Sequence, residues 1–149
     1  MCNHNSARSQ LAEGLLRHLY GNRYEVFSAG ATPTQVNPFA IKAMAEIGID
    51  ISNHRSKSIE EFRNRPMDLI VSVCTSSAKV VCTFCSSPLL KGRPQIIDET
   101  LLDVNRYLDH PFDDPPEVKG VDEEKLAAFR RTRDEIKEWI TEYFADQKP

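Results

Sequence analysis

Met1-Cys2-Asn3-His4-Asn5-Ser6-Ala7-Arg8-Ser9 opens the chain, and the fold has to be built around what these nine residues can do. A cysteine and an arginine separated by five residues, followed at once by a hydroxyl, are the parts of a thiolate-based oxyanion site. Five intervening residues can curl into a loop whose backbone N–H groups point inward at a tetrahedral anion, while the guanidinium closes the rim bidentately. The chain then runs into a helix, whose N-terminus adds positive potential. The oxyanion-binding set is therefore Asn3, His4, Asn5, Ser6, Ala7 and Arg8, with Cys2 as nucleophile and Ser9 as its hydroxyl neighbour.

Outward from this loop, helices and strands alternate. Leu11, Leu15 and Leu19, with Leu16 beside them, mark one face of a helix from about Ala7 to Tyr20, ended by Gly21. Tyr24 to Ala29 is β-rich and closes at Gly30, which predicts a short strand. Asn37-Pro38 is an N-cap followed by proline at the first helical position, and Ile41, Met44 and Ile47 supply a buried stripe before Gly48. Ser58 caps a short helix over Ile59 to Phe62. Met67 to Val73 is a nearly continuous apolar run, which predicts a strand buried on both faces. Thr75 to Val81 fits a helix, whereas about 83–105, with Pro88, Gly92 and Pro94, reads as an irregular insertion. Arg106 to His110 forms a last strand leading into the rigid turn Pro111 to Pro115. Leu126, Phe129, Ile136, Ile140 and Phe144 then define a long amphipathic helix over Glu123 to Ala145.

This alternation predicts one domain over 1–149, an open parallel α/β sheet in three layers with helices on both faces. In such folds ligands sit beyond the C-terminal strand ends. Cys2 precedes the first helix, Cys74 follows the Met67 strand and Asp114 follows the last strand, so three reactive groups converge on one edge.

Composition narrows the function. The chain has 149 residues, 40% hydrophobic and 28% charged, with a net charge of −3, which fits one domain of ordinary size and disfavours nucleic-acid or anionic-membrane binding. No apolar run approaches the roughly 20 residues of a membrane span, and no secretory signal opens the chain; a cytoplasmic monomer is expected. In a reducing compartment the four cysteines, Cys2, Cys74, Cys82 and Cys85, suit catalytic, redox or metal-binding work better than structural disulfides. Zinc or arsenite on Cys74, Cys82 and Cys85 would lack a clear fourth ligand, so no metal and no cofactor are expected. The plainer reading of Cys74 is a buried core thiol, and that of Asp113 and Asp114 a turn and cap pair. His4, His18 and His110 have no evident partner.

Cys2 to Ser9, Ser28-Ala29-Gly30, Val36-Asn37-Pro38, Ile49 to His54, the Val71 to Cys74 strand end, Phe112-Asp113-Asp114-Pro115 and Arg130 to Ile136 together resemble the thioredoxin-coupled arsenate reductases, which share the low-molecular-weight protein tyrosine phosphatase fold. The resemblance spans nearly the whole chain apart from roughly Thr83 to Asn105. It implies an arsenic-resistance oxidoreductase that turns arsenate into arsenite. Cys2 attacks arsenate as a thiolate, favoured by the loop N–H groups, Arg8 and Ser9. Asp114 protonates the departing oxygen, Cys74 forms a disulfide with Cys2, and a third thiol carries the disulfide to thioredoxin. That third thiol is Cys82, with Cys85 as rival: the family spacing from the second cysteine is seven positions, and here it is eight.

Two further departures carry expectations. Relatives that hold potassium beside the loop use residues matching Asn5, Glu13 and Ser28 plus an aspartate; Lys57 stands at the fourth position, so its ammonium replaces the ion. The family also places a buried strand before the nucleophile, where this chain has only Met1; the first central strand thus looks absent, and roughly ten more residues upstream would restore it. The alternative activity is hydrolysis of aryl phosphates through a cysteinyl-phosphate, which needs Cys2, Arg8, Ser9 and Asp114 alone and could persist as residual phosphatase activity. Pro116 stands where such phosphatases tend to carry an aromatic residue, which favours the reductase.

Overall fold

The computed structural model describes residues 1–63, 65–74 and 104–146. Helix α1, Arg8–Tyr20, buries Leu11 and Leu15 completely, a contribution of about 3–6 kcal/mol from these two side chains. Helix α2, Pro38–Ala45, starts as the sequence dictates: Asn37 is extended, its side chain accepts from Phe39 N at 2.9 Å, and Pro38 sits where no N–H is needed. Beyond α2 the chain reverses through Gly48 at φ +78°, a left-handed conformation that a side chain resists. Ser58 caps the 3₁₀ segment Ile59–Phe62, accepting from Glu60 N at 3.2 Å while its own N–H reaches Glu61. Helix α3, Asp122–Phe144, is anchored at its start by Glu124, which accepts from Val121 N at 2.9 Å.

Strands β1, Met67–Ser72, and β2, Val104–Asp109, pair in parallel with Ile70 opposite Tyr107 and Ser72 opposite Asp109. Two single parallel bridges widen the sheet at its C-terminal edge, Cys2 to Gly30 and Gly30 to Ser58. Met1 docks on the free side of β1: its ammonium donates to Val71 O, and its carbonyl accepts from Val73 N at 2.9 Å. Leu11, Leu15, Met44, Ile51, Phe129 and Ile136 form the main core between the three helices, and Leu69 packs against it. Ile70, next along β1, points the other way into a cluster with Ala29, Ile59 and Phe62. Both faces of the sheet are thus covered, as a parallel sheet requires.

Three expectations are corrected. Tyr24 to Ala29 makes no ladder among the described residues; only Gly30, just past it, forms bridges. Strand β1 is not buried throughout, because Asp68 is exposed, Met67, Leu69 and Val71 are half-buried, and only Ile70 and Ser72 are fully buried. Strand β2 begins at Val104, so the last two residues assigned to the 83–105 insertion belong to the sheet. The expected helix over Thr75 to Val81 and the rest of the insertion lie outside the described residues.

Candidate active site

The loop sits at the C-terminal edge of the sheet. Cys2 N donates to Ala29 O at 3.3 Å, which sets the thiol at the strand edge, directly before the turn into α1. Gly30 permits this: a Cβ there would lie 2.6 Å from Asn3 O and 2.7 Å from Asn5 N, so any side chain would push the loop backbone away. Ala7, at the helix start, provides no side-chain cap, and the first N–H groups of α1 remain available to an anion.

Around the sulfur every group is assigned a role by its neighbours. Asn5 N donates to Cys2 Sγ at 3.1 Å, and Ser9 Oγ lies 2.8 Å from the same sulfur. Asn5 Nδ2, which can only donate, bonds Ser9 Oγ at 3.0 Å and Ser28 Oγ at 2.8 Å. Ser9 therefore spends a lone pair on Asn5 and keeps its proton for the sulfur. Asn5 adopts φ +48° and is wholly buried. What holds this strained residue is a full complement of bonds: its Oδ1 accepts from Gln10 Nε2 at 2.9 Å and Lys57 N at 2.7 Å.

Behind Asn5 lies a buried charge cluster. Ser28 donates to Glu13 Oε2, the same oxygen that meets Lys57 Nζ at 3.1 Å, while Arg17 pairs with Glu13 Oε1. Burial works to raise the Glu13 carboxyl, but the Ser28 hydrogen bond and the Lys57 ammonium prevail and hold it below the ordinary range. Lys57 thus supplies a cation to the buried Glu13 carboxylate behind the loop. Gln10 extends the cluster to His54, whose Nδ1 lies 3.0 Å from Gln10 Oε1.

On the open side, Arg8 Nη2 meets Asp114 Oδ2 at 2.8 Å and Arg8 Nη1 donates to Phe112 O at 2.8 Å. Asp114 precedes the 3₁₀ segment Pro115–Glu117 without capping it, so its carboxylate serves the site and not the turn. Burial pushes the Asp114 carboxyl above the usual range even though Arg8 opposes this.

Cys74 is buried and joins Cys2 and Val73 in one cluster. Cys82 and Cys85 lie outside the described residues. His110 does have partners, contrary to expectation: its ring stacks on Trp139 at 4.8 Å and packs on Phe112 at 4.9 Å. Gln10 entered no sequence pattern, and His54 and Phe112, though inside stretches that carry the resemblance, were given no role there; their signal is three-dimensional, a hydrogen bond from Gln10 to Asn5, a contact of His54 with Gln10 and a carbonyl that accepts from Arg8. Among the described residues no cluster of His, Cys, Asp or Glu is arranged to hold a metal, and no helix is long and apolar enough to cross a membrane.

Known proteins carry the same organisation. The chain is 42% identical over 136 residues to an arsenate reductase of Halalkalibacterium halodurans, a match covering 91% of this chain and 86% of that one. A solved arsenate reductase in the oxidized state superposes with a TM-score of 0.71 at 28% identity, covering 97% of this chain and 92% of that one. Another, in a phosphate binding state, superposes with a TM-score of 0.65 at 30% identity over the same shares. Residues 1–148 match the family model for low molecular weight phosphotyrosine protein phosphatase, and the chain, an open α/β fold with its Cys-x5-Arg loop at the sheet edge, belongs to that family.

Proposed function

We propose that this chain reduces arsenate to arsenite with its own thiols. The observation that carries the reading is the pair of buried cysteines, Cys2 and Cys74, in one cluster beside the Arg8–Asp114 pair; hydrolysis of a phosphoester needs only the first of them. Arsenate enters the loop against the α1 N-terminus and takes Arg8. The Cys2 thiolate attacks arsenic, an As–S bond forms, an As–O bond breaks, and Asp114 gives the departing hydroxide its proton. The Cys74 thiolate then attacks Cys2 Sγ. As the S–S bond forms, the As–S bond breaks and its electron pair stays on arsenic, giving arsenite and a Cys2–Cys74 disulfide. Two thiols are oxidised by two electrons and arsenic is reduced by two. Cys82, or its rival Cys85, passes the disulfide outward to a thioredoxin-type dithiol, which closes the cycle. The protein works as a single-domain cytoplasmic monomer.

Arsenate-dependent oxidation of thioredoxin tests this directly. Cys74→Ser abolishes turnover while leaving cleavage of an aryl phosphate intact, and Cys82→Ser compared with Cys85→Ser identifies the exit thiol. Undiminished arsenate reduction by Cys74→Ser refutes the relay. Aryl-phosphate hydrolysis without any arsenate reduction in the parent chain favours the second reading, a phosphatase, for which the family match speaks.

A further inference from the structure

Past β2 the chain keeps its strand alternation. Leu108, His110, Phe112 and Asp114 are half-buried, while Asp109, Pro111 and Asp113 are exposed, so the four inward side chains share one face at the two-residue period of an extended chain. The backbone bonds explain where this face is aimed. His110 N donates to Ser72 O at 2.9 Å and Phe112 N donates to Val73 O at 3.2 Å; two residues of this segment advance against one of β1, which is the count of a β-bulge. Pro111, which has no N–H to offer, sits between the two donors. The bulge carries the segment off the sheet and onto the loop, where Phe112 O accepts from Arg8 Nη1 and Asp114 Oδ2 meets Arg8 Nη2, each at 2.8 Å.

A bulged strand end swings unless side chains fix it, and His110 does so. Its ring stacks on Trp139 of α3 at 4.8 Å with 18° between the planes, and it meets Phe112 at 4.9 Å. Phe112 in turn meets Trp139 edge-on at 6.0 Å, so each of the three rings touches the other two. Trp139 is braced from behind, stacked on Tyr143 at 5.4 Å and met edge-on at 5.8 Å by Phe144, which is buried in the main core. On the far side of Asp114, Pro115 is buried and its 3₁₀ segment packs on α3. Asp114 therefore hangs between two attachments to one helix. Held at Pro115 alone, the segment would pivot; the His110 ring removes that freedom. A flat ring is what the position requires, because parallel stacking on an indole is open to aromatic side chains and closed to aliphatic ones.

We propose that His110 is a positioning residue for the acid: clamped between Phe112 and Trp139, it fixes the strand end beyond the bulge so that Asp114 meets the oxyanion bound by Arg8. The imidazole acts through the flatness of its ring and through Phe112, and takes no proton in the reaction. The inference rests on the reading of Asp114 as the leaving-group acid.

Arsenate reduction is measured for His110→Ala, for His110→Phe, which keeps a ring that stacks, and for His110→Ala in an Asp114→Asn background. His110→Ala lowers kcat by about tenfold or more, while the Kd for inorganic phosphate, read by calorimetry, does not rise, because the loop is untouched. His110→Phe restores kcat to within about threefold of the parent. In the Asp114→Asn background His110→Ala has no further effect, since no acid is left to place. Trp139→Leu removes the other half of the stack; it behaves as His110→Ala does and serves in its place should that variant not fold. An equal loss in both backgrounds, a rise in phosphate Kd as large as the fall in kcat, or full kcat without the stack overturns the inference. A parent without arsenate turnover rejects the proposed reaction instead, and the same cycle on an aryl phosphate, whose ester oxygen leaves through the same acid, then decides about His110. Carbon-13 NMR of the Asp114 carboxyl needs no turnover. Its titration, above the ordinary range in the parent because of burial, falls toward that range in His110→Ala and stays in His110→Phe; an unmoved titration in His110→Ala overturns the inference.

Discussion

Lys57→Met removes one charge from behind the catalytic loop, and its cost can be worked from the contacts. The Lys57 ammonium lies 3.1 Å from Glu13 Oε2, with side-chain exposures of 11% and 3% for the two residues. At an effective dielectric of about 20 such a pair attracts by about 5 kcal/mol. Lysine desolvation and lost rotamer freedom offset part of this, and Arg17, on the other Glu13 oxygen, remains. The expected net loss is about 2–3 kcal/mol, or a fall in Tm of about 5–10 °C. Urea unfolding at pH 7 measures it. The pH dependence has a definite sign: Glu13 is held below the ordinary glutamate range, so its contribution is present above that range and lost as pH falls through the lowered one. The gap between parent and variant is therefore full at pH 7 and closes toward pH 3. Glu13→Gln added to Lys57→Met recovers part of the loss, because no buried charge is left unpaired. Potassium and choline chloride at equal ionic strength support equal rates in the parent, since the ammonium already supplies a cation to Glu13. A loss under about 0.5 kcal/mol, or a double variant as unstable as the two single losses combined, refutes the reasoning.

Asp114→Asn lowers kcat by about 10²–10⁴-fold and removes the alkaline fall of the pH–rate profile. That fall in the parent lies above the ordinary carboxylate range, because burial raises the carboxyl. Gly30→Ala weakens binding of inorganic phosphate, read by calorimetry, far more than it lowers Tm, since its Cβ meets loop backbone at Asn3 and Asn5. Arg133→Met costs about 1.5–3 kcal/mol in urea unfolding, because the buried Arg133 donates to Ala43 O at 2.7 Å and ties α3 to the end of α2.

The parts of this molecule that were legible in the sequence are those governed by local rules. The Leu11–Leu15 stripe, the Asn37-Pro38 start and the Ser58 cap each depend on residues within a turn or two of one another, and all three formed where expected. Tyr24 to Ala29 failed for a non-local reason: β-propensity describes a fit to neighbours, and among the described residues this segment joins no ladder, the two bridges beside it both being made by Gly30. The support of the loop was illegible for the same reason. Gln10 and Arg55 carry no motif; they matter because Gln10 Nε2 reaches Asn5 O, Asn5 Oδ1 and Arg55 O at once. A residue that works by closing the hydrogen-bond complement of a buried neighbour leaves no periodic trace.

The Arg8–Asp114 contact binds the two halves of the site into a sequence of events. One N–H of Arg8 Nη2 is spent on Asp114 and one of Nη1 on the Phe112 carbonyl, so a tetrahedral anion that takes the guanidinium bidentately competes with the 112–114 segment for it. In the reaction proposed above, the anion draws the guanidinium from Asp114 and weakens the strongest attraction that opposes protonation there, so the carboxyl, already raised by burial, rises further as the anion arrives beside it. The proposed acid is thus poorest at holding a proton when the site is empty and best when an oxyanion has taken Arg8. On that reading one arginine couples the binding of the anion to the arming of its leaving-group acid.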